Sequence, residues 1–443
     1  MTKKNAQMNT AEALVLALRN GKARYEEIIA QSECPGFCAE EIYNSQNCKC
    51  DSPDMLASAD NLAFMEYLLK GRDMAGKLQL IYVDPPFFSN SRYQASVRLE
   101  TDKLGKSAVI KTGAYEDRWG NRLDKYLEML AVRFMLMRDL LSDTGCIWVH
   151  LDWHGSHYVK MLLDEIFGME NFVNEVCWTY KSGGASKKSF ARKHDTLLFY
   201  GKTKKHKFHP LKEKSYNRGL KPYRFKGVEE FQDETGWYTM VNMKDVWNID
   251  MVGRTSSERT GYATQKPEKL LERILESCTD EGDLVADFFS GSGTTGAVAA
   301  RLGRRWIMCD EGNVATAGQI IRLTSPEGGK ERPFEVLREE SVQNHDTAGS
   351  ALYEKSLGCL RLTDYKPDTM ELSRADQDIA ADYICDDGRS AIHFWTADYN
   401  YDGRVHRGGA PVCKEDFDVM PDEHSAIHIV GYDVFGNRFT YQL

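Results

Sequence analysis

Leu80-Ile81-Tyr82-Val83-Asp84-Pro85-Pro86-Phe87 is the stretch that decides the fold. Four apolar residues in a row, two of them β-branched, predict a short strand buried on both faces. Asp84 ends the apolar run, and the two prolines after it cannot continue a sheet or a helix. The sequence therefore predicts a carboxylate at the carboxyl edge of a buried strand, where open α/β sheets bind their ligands.

The proline pair has a chemical consequence. Because proline fixes φ near about −65°, the carbonyls around Pro85 and Pro86 are held in fixed directions. A fixed Asp84 carboxylate and a fixed carbonyl can together accept hydrogen bonds from an –NH2 group, and Phe87 can stack on the flat ring that carries it. Such a site suits the exocyclic amine of a nucleobase flipped out of its helix. The competing interpretation is a plain surface turn, because Asp and Pro commonly mark turns.

Length and composition limit the classes of protein. The 443 residues, 42% of them hydrophobic, are enough for two or three domains with a sizeable core. No apolar stretch of about 18 residues predicts a membrane span, and the N-terminus lacks the apolar core of a signal peptide. The eleven cysteines have scattered spacing, which fits reduced thiols. We expect a cytoplasmic protein with no membrane partner.

One cysteine group suggests a metal site. Cys34, Cys38, Cys48 and Cys50 lie within 17 residues, and four thiols can hold a structural zinc ion. Their spacing, C-x3-C-x9-C-x-C, departs from the usual paired C-x2-C. The sequence therefore favours ordinary free cysteines, with zinc as the alternative.

Charge is distributed unevenly along the chain. The net charge is −9, yet residues 181–226 hold 15 lysines and arginines against two acidic residues, a net charge of +13. Aromatic residues are interleaved with these charges, as they are on surfaces that contact phosphates and stack on bases. The stretch predicts a polyanion-binding face, and the competing interpretation is a solvated, disordered charge run.

Apolar runs and helical periodicity alternate on both sides of this basic stretch. This order predicts a parallel sheet with helices on both faces. Thr10 is expected to cap the first helix, Pro267 to begin a later one, and residues 88–118 to form a mobile polar loop. The predicted elements are helices over 1–30, 64–70, 123–141, 158–167 and from 267, and strands over 80–83, 146–151, 173–180, 196–200, 284–289 and 305–310.

A glycine-rich loop follows the strand over 284–289. Gly291-Ser-Gly293-Thr-Thr-Gly296 has the form G-x-G-x-x-G, and Asp310 lies 19 residues past the first glycine. This pattern is close to the dinucleotide fingerprint, so an NAD-dependent dehydrogenase is one interpretation. Asp287, however, would repel a pyrophosphate and attract a cation. S-adenosylmethionine carries an ammonium group and no phosphate, which makes it the second interpretation.

Three motifs resemble those of a known family. Residues 287–295, DFFSGSGTT, resemble the D-P-F-x-G-S-G-T-T loop of amino-methylating DNA methyltransferases, with Phe288 in place of the usual proline. Residues 84–87 resemble their catalytic motif, and residues 264–267 their T-Q-K-P segment. The catalytic motif precedes the cofactor loop, an order similar to the β-group of these enzymes, which includes the Mod subunits of type III restriction systems. The resemblance covers about residues 55–325.

The resemblance implies a Rossmann-like, S-adenosylmethionine-dependent α/β sheet with permuted motif order. Asp84 and the Pro85 carbonyl would accept the target amine, whose nitrogen attacks the cofactor's methyl group directly. In the family, aspartate before Pro-Pro goes mostly with adenine N6 and serine with cytosine N4, so adenine is favoured and cytosine is the alternative. The implied catalytic residues are Asp84, Pro85, Pro86 and Phe87. The implied cofactor-binding residues are Asp60, Asn61, Thr264, Gln265, Lys266, Asp287, Phe289, Gly291, Gly293, Thr294 and Asp310.

The implied partner is double-stranded DNA, with a restriction subunit or a second copy of the chain as further candidates. An inactive DNA-binding specificity subunit is disfavoured, because the catalytic motif and the glycine loop are intact. The DNA contacts are predicted at Lys187, Lys188, Arg192, Lys204, Lys205 and Lys207. The predicted divisions are an N-terminal helical and Cys-rich segment (1–54), a catalytic half (55–180), a basic target recognition region (181–255), a cofactor-binding half (256–325) and a small acidic α+β domain (331–443).

Overall fold

The structure is a computed structural model that describes residues 9–45, 53–100, 107–181, 187–253, 255–262, 264–325, 332–341, 350–356, 358–370, 372–384, 388–413, 417–421 and 426–443. The helices are α1 Thr10–Ala30, α2 Asn61–Lys70, α3 Leu123–Leu140, α4 Ser156–Phe167, α5 Glu268–Cys278, α6 Thr294–Arg301, α7 Asn313–Thr324 and α8 Arg374–Ile384. The strands are β1 Phe37–Tyr43, β2 Asp54–Ser58, β3 Leu78–Val83, β4 Ser91–Glu100, β5 Ser107–Asp117, β6 Leu141–Leu151, β7 Phe172–Thr179, β8 His194–Gly201, β9 Lys212–Tyr216, β10 Phe231–Gln232, β11 Trp237–Asn242, β12 Val246–Asn248, β13 Leu284–Asp287, β14 Arg305–Asp310, β15 Phe334–Glu339, β16 Ser350–Ser356, β17 Cys359–Lys366, β18 Ile392–Asp398, β19 His406–Gly408, β20 Phe417–Val419, β21 His428–Asp433 and β22 Arg438–Gln442.

Eleven of the strands form one central sheet in the order β12-β7-β8-β6-β3-β13-β14-β2-β15-β1-β19. Its middle, from β6 to β15, is parallel throughout. Three strands run against this direction. β8 is antiparallel to β6 and β7, β1 is antiparallel to β15, and β19 is parallel to β1. The sheet confirms the predicted α/β fold class with a largely parallel, Rossmann-like core.

The apolar run of β3 is buried on both faces, as predicted. Ile81 and Val83 pack into the cluster formed with α1 to α4, whereas Leu80 and Tyr82 pack into the cluster formed with α5 to α7. Side chains alternate across a strand, so a strand covered on both faces needs apolar residues at every position. Each large side chain buried here contributes about 1.5–3 kcal/mol, which fixes the register of the central strands.

The register brings three strand-end acids together. In the sheet, Asp287 at the end of β13 lies opposite Tyr82 of β3 and Met308 of β14. Asp84 comes two residues after Tyr82, and Asp310 comes two residues after Met308. Because parallel strands end at the same edge, the three carboxylates line one stretch of the carboxyl edge.

The expectation of a mobile loop over residues 88–118 is wrong. The segment contains an antiparallel hairpin in which β4 pairs with β5, from Ser91 opposite Asp117 to Glu100 opposite Ser107. A hairpin satisfies its backbone hydrogen bonds within itself, so it forms despite a polar sequence that is typical of loops.

Two predicted helix starts are shifted by one residue. Asn9, and not Thr10, caps α1, because its side chain accepts the Glu12 amide in a capping box. Pro267 is the residue before α5 and not its first residue. The first eight residues of the predicted helix over 1–30 lie outside the described part of the chain.

Both outer segments of the chain contribute to the central sheet. β1 pairs with β15 on one side and β19 on the other. Buried Glu41 of β1 lies 3.5 Å from Arg338 and 2.9 Å from Arg438. Burial alone would raise the pKa of Glu41, but the two guanidinium groups outweigh burial and lower it to about 2. The ends of the chain are thus joined by a buried ionic contact, and the domain boundaries drawn from composition stay predictions.

The remaining strands form small sheets, β10-β11-β9, β16-β17-β20 and β18-β21-β22. β21 and β22 pair antiparallel and form a hairpin around residues 434–437. In the cysteine group, Cys34 and Cys38 are free thiols, whereas Cys48 and Cys50 fall outside the described ranges, so the zinc alternative stays a prediction. None of the helices that the structure describes is long and apolar enough to cross a membrane.

Candidate active site

Asp84 lies directly past β3 with 15% of its side chain exposed. Its Oδ2 forms an ion pair with the ammonium of Lys266, and the same ammonium lies 5.6 Å from the centre of the Phe87 ring. Its Oδ1 is buried and has no hydrogen-bond partner among the described residues, and His150 Nδ1 lies 3.6 Å from it. The carboxylate is therefore held in position while one of its two oxygens is left unsatisfied.

The turn after Asp84 is fixed by contacts of its own. The Pro86 carbonyl accepts a hydrogen bond of 2.8 Å from the Tyr126 hydroxyl. Phe88 has a φ of +65°, a conformation that a bulky residue adopts only when its surroundings impose it. Buried Asp117 imposes it, because its carboxylate accepts the amides of Phe88 at 3.2 Å and Ser89 at 2.6 Å. The prolines and Asp117 together make the turn rigid.

Asp84 borders a cavity of about 510 Å³ at the carboxyl edge. Most of the predicted cofactor-binding residues line the same cavity: Asp60, Asn61, Thr264, Lys266, Asp287, Phe289, Gly291, Thr294 and Asp310. Pro86 also lines it, whereas Pro85, Phe87, Gln265 and Gly293 are not among its lining residues. The predicted catalytic acid and the predicted cofactor loop thus share one enclosed space.

The glycine loop needs its glycines. Gly291 and Gly293 have φ values of +48° and +72°, which favour glycine. A Cβ atom on Gly293 would lie 2.8 Å from Gln319 Cγ, so a side chain there would also displace a neighbour. Gln319 in turn donates a hydrogen bond of 2.8 Å to the Gly291 carbonyl. Gly293 therefore shapes the loop without lining the cavity.

Asp287 has an unusually high pKa for an aspartate. It accepts hydrogen bonds from the Thr295 hydroxyl at 2.6 Å and the Phe289 amide at 3.0 Å. Burial, together with the nearby charges of Asp84 and Asp310, nevertheless raises the pKa of Asp287 to about 7. A cation in the cavity would relieve this repulsion, whereas a phosphate would increase it.

Asp310 supports the glycine loop from β14. Its carboxylate accepts the amides of Gly291 at 2.7 Å and Gly312 at 2.9 Å, and burial raises its pKa. Exposed Glu311 lines the cavity beside it, and sequence reasoning missed this residue. Two neighbouring carboxylates at the end of β14 can both accept hydroxyl groups.

Asp60 and Asn61 lie at the start of α2. Asp60 caps this helix by accepting the Leu62 amide at 2.7 Å, and Asn61 donates to the Phe288 carbonyl at 2.7 Å. Arg133, which sequence reasoning missed, donates to Asn61 at 2.6 Å and pairs with Asp60 at 3.1 Å. These contacts attach α2 to the residue after β13 and hold one side of the cavity.

Gln265 faces away from the cavity and shapes the segment before α5. Its side-chain oxygen accepts the Thr260 amide at 2.8 Å, and its NH2 group donates to the Glu258 carbonyl. The segment carries Tyr262, whose ring lies 3.1 Å from where a Cβ atom on Gly291 would be. Gln265 therefore positions Tyr262 over the glycine loop, and this cavity residue was also missed from sequence.

The predicted DNA contacts divide between two edges of the sheet. Lys187, Lys188 and Arg192 are exposed in the connection from β7 to β8, at the carboxyl edge beside the cavity. The Arg192 guanidinium lies 3.7 Å from the centre of the Trp153 ring. Trp153 is 44% exposed, and it follows β6, the neighbour of β3.

The other three predicted contacts lie at the opposite, amino edge. β8 runs antiparallel to β6, so Lys204, Lys205 and Lys207 follow its far end. Lys207 is paired with Asp280 at 2.7 Å and Asp283 at 2.5 Å. The structure does not bring these lysines to the Asp84 side, because strand direction separates residues that are near in sequence.

The most informative residue that the sequence did not reveal is His150. It lies in the strand predicted over 146–151, and its fully buried imidazole lies between Asp84 and Asp195. A histidine near the end of a strand that is otherwise apolar was the available signal. Asp195, at the start of the antiparallel strand β8, carried no comparable signal because its position depends on strand pairing.

Sequence comparison identifies related proteins. The profile of a family described as DNA methylase matches residues 78–318. The chain is 29% identical to the type II methyltransferase M2.DpnII of Streptococcus pneumoniae over 237 residues, which cover 53% of this chain and 77% of that protein. It is also 29% identical to the type II methyltransferase M2.LlaDCHI of Lactococcus lactis subsp. cremoris over 261 residues, covering 58% and 84%.

Solved structures with a similar arrangement include the PvuII DNA methyltransferase, described as cytosine-N4-specific. It shares 16% identity and a TM-score of 0.42, and the match covers 67% of this chain and 94% of that chain. The complex of M1.HpyAVI with SAM shares 19% identity and a TM-score of 0.37, covering 61% and 100%. The named sequence relatives are type II enzymes, so the likeness to type III Mod subunits stays a prediction.

Proposed function

Because the chain belongs to the DNA methylase family that modifies adenine N6 or cytosine N4, we propose that it methylates N6 of an adenine flipped out of duplex DNA. The methyl donor in this proposal is S-adenosylmethionine. One observation carries the proposal: Asp84 and the glycine loop after β13 line the same cavity of about 510 Å³. An acceptor for the target amine and a site for the methyl donor therefore lie within reach of each other.

The cavity suits S-adenosylmethionine, which supplies an electrophilic methyl group on a positively charged sulfur. Buried Asp287 and the acids beside it favour a cationic ligand over a pyrophosphate, which disfavours the dehydrogenase alternative. Asp310 and Glu311 are the proposed acceptors for ribose hydroxyls. Gly291 leaves room for the ligand next to the Tyr262 ring, where a larger residue would intrude.

Asp84 is the proposed catalytic group. Its carboxylate accepts a hydrogen bond from the target amine, which draws the nitrogen toward tetrahedral geometry and frees its lone pair for attack on the methyl carbon. Lys266 holds Asp84 in place before the base arrives. The rigid turn keeps the acceptor aligned, so much of the rate acceleration comes from proximity and orientation.

The choice of adenine rests on Asp84, since an aspartate before Pro-Pro accompanies mostly adenine in the family. The test is to methylate DNA of random sequence with labelled S-adenosylmethionine, digest it and separate the nucleosides. We expect N6-methyldeoxyadenosine as the labelled nucleoside. N4-methyldeoxycytidine as the sole labelled nucleoside would refute the adenine assignment, and sequencing the same DNA would give the recognition sequence.

DNA recognition is assigned to residues 181–255, with the first contacts at the carboxyl edge. Support comes from the cationic and aromatic groups beside the cavity, which are Arg192 stacked on Trp153 and the 97% exposed Phe190. Phosphate contacts and base stacking use these two side-chain types. The connection from β9 to β10 carries the exposed aromatic residues Tyr223 and Phe225. We assign sequence reading to this connection and to the small sheet of β9, β10 and β11.

A further inference from the structure

Both ring nitrogens of buried His150 face acidic side chains, which distinguishes it from a histidine that only fills a hydrophobic core. Its side chain has no exposed surface. Nδ1 lies 3.6 Å from Asp84 Oδ1, and Nε2 lies 3.2 Å from Asp195 Oδ2. The Trp178 ring at 5.3 Å and the Phe87 ring at 5.7 Å enclose the imidazole on its other sides.

The hydrogen bonds define which nitrogen can take a proton. Burial raises the pKa of Asp195, but the hydrogen bond and charge of His150, the charge of Lys266 and the hydrogen bond from Tyr180 together outweigh burial and leave that pKa below its usual value. Asp195 is thus a carboxylate that accepts from Nε2–H, so Nδ1 keeps its lone pair. The Tyr82 hydroxyl, 3.0 Å from Nδ1, keeps its own proton because burial raises the pKa of Tyr82.

We propose that His150, oriented by Asp195, receives the proton that Asp84 removes from the target amine, so that Asp84, His150 and Asp195 form a proton relay. The inference rests on the proposed function and adds the fate of the proton to it. His150 acts through Asp84 and is therefore a positioning and proton-accepting residue that does not touch the substrate. The arrangement has the logic of an acid that orients a histidine base.

The step is balanced as follows. The amine nitrogen bonds to the methyl carbon while the carbon–sulfur bond breaks, with its electron pair staying on sulfur. The nitrogen then loses one proton to Asp84. Rotation of the carboxyl about Cβ–Cγ, a soft two-fold torsion, turns that proton toward Nδ1 of His150. The proton moves to Nδ1, Asp84 returns to its carboxylate form, and the Tyr82 hydroxyl rotates to accept from Nδ1–H.

Two carboxylates lie beside the imidazole of His150. Asp84 and Asp195 lie on opposite sides of the ring, and the Tyr180 hydroxyl donates to Asp195 at 3.0 Å. The positive charge of Lys266 also acts on this cluster, and its ammonium is paired with Asp84 Oδ2. Two carboxylates and one ammonium group give the surroundings of the ring a net negative charge.

The test uses the full chain in three variants, His150→Gln, Asp195→Asn and the control His209→Gln. His209 is a matched control because it lies 3.0 Å from Asp280 at the amino edge, far from Asp84. The single-turnover methylation rate is measured from pH 5.5 to 9 at saturating S-adenosylmethionine and DNA, so that the pH dependence of cofactor binding through Asp287 does not enter the profile. The Kd values of both ligands are measured separately. The relay predicts an acidic limb in the wild-type profile, because a proton already on His150 blocks the transfer.

We expect His150→Gln to lower the rate about 100-fold and remove the acidic limb, with both Kd values within about twofold of wild type. Asp195→Asn should shift the limb to lower pH, because an amide no longer stabilises the charged imidazole. His209→Gln should match wild type. If His150→Gln does not fold, the pH profile of the methylation rate in Asp195→Asn tests the relay in its place.

Two failures are distinguishable. A wild-type chain that binds S-adenosylmethionine but methylates no DNA amine overturns the proposed function. A wild-type chain that methylates DNA, with an acidic limb unchanged in His150→Gln or Asp195→Asn, overturns the relay alone. A rate loss that merely follows a weaker cofactor or DNA Kd would mean that His150 is structural, and it also overturns the relay.

Discussion

Acidic side chains at the two edges of the central sheet differ in how fully their charges are paired. At the carboxyl edge, Asp84 keeps one unsatisfied oxygen, and burial raises the pKa of Asp287 to about 7. At the amino edge, Asp280 and Asp283 are both paired with Lys207. Hydrogen bonding to Lys207 lowers the pKa of Asp280. The carboxyl edge retains charge that a ligand can satisfy, whereas the amino edge satisfies its charge internally.

Basic residues that look equivalent in sequence also lie at different edges of the sheet. Arg192 and Lys205 lie in the same positive stretch, thirteen positions apart. The strand between them, β8, carries the chain from the carboxyl edge to the amino edge. The fold therefore places Arg192 at the carboxyl edge and Lys205 at the amino edge, and the proposed DNA contact applies to the first of them.

The largest expected effect is at Asp84. Asp84→Ala should lower methyl transfer more than about 1,000-fold, because the target amine loses its acceptor, while S-adenosylmethionine binds with little change. The measurement is a single-turnover rate with calorimetry of cofactor binding. Asp143→Ala is the matched control, since Asp143 lies in the amino-terminal part of the neighbouring strand β6 and is exposed. A fully active Asp84→Ala variant would show that the Asp84 carboxylate at the carboxyl edge is not needed for methyl transfer.

A smaller effect follows from the pKa of Asp287. That pKa is about 7, so the carboxylate is ionised above pH 7 and protonated below it. Binding of the cationic cofactor should weaken by up to about tenfold for each pH unit below 7. Calorimetry from pH 8 to 5.5 checks this slope, and Asp287→Asn should flatten it. A wild-type Kd that does not change over this range would contradict the prediction.

The pKa of Asp287 also predicts how the stability of the protein depends on pH. This folded-state pKa lies above the unfolded value of 3.8, so folding takes up a proton between these two values. The cofactor-free protein should therefore lose stability as the pH rises from about 4 to 7, as far as Asp287 contributes. Asp287→Asn should remove that part of the pH dependence in urea unfolding.

The two edges can be compared directly by DNA binding. Arg192→Ala should weaken binding about five- to tenfold and lower the salt dependence by about one phosphate contact. Lys205→Ala removes the same charge at the amino edge and should leave the Kd nearly unchanged. Fluorescence anisotropy at several salt concentrations measures both. Equal losses in the two variants would show that DNA extends to the amino edge.

The smallest expected effect is at Lys207. Lys207→Ala should lower the free energy of unfolding by at most about 1 kcal/mol, because its ion pairs with Asp280 and Asp283 are partly exposed. DNA affinity should stay at the wild-type value. Urea unfolding and anisotropy on the same preparation test the two statements, and reduced DNA affinity without loss of stability would reverse the assignment.

Local patterns predicted much of the site. The apolar run before Asp84, the glycine loop before α6 and the acid that ends β14 are each set by residues adjacent in sequence. A strand buried on both faces needs a continuous apolar run, and a left-handed turn favours glycine, so these features can be read without the fold. The pairing of β4 with β5 was missed because its stability comes from hydrogen bonds between the two strands and not from an apolar pattern.

The sequence by itself determined that three acids end buried parallel strands and that a glycine loop follows one of them. Only the tertiary structure decided which groups surround those acids. Strand order and direction depend on pairing between distant segments, and that pairing brings Lys266 and His150 to Asp84, turns Gln265 away from the cavity and carries Lys204 to the far edge. Composition and spacing hold no information about direction, because the same residues fit a strand that runs either way.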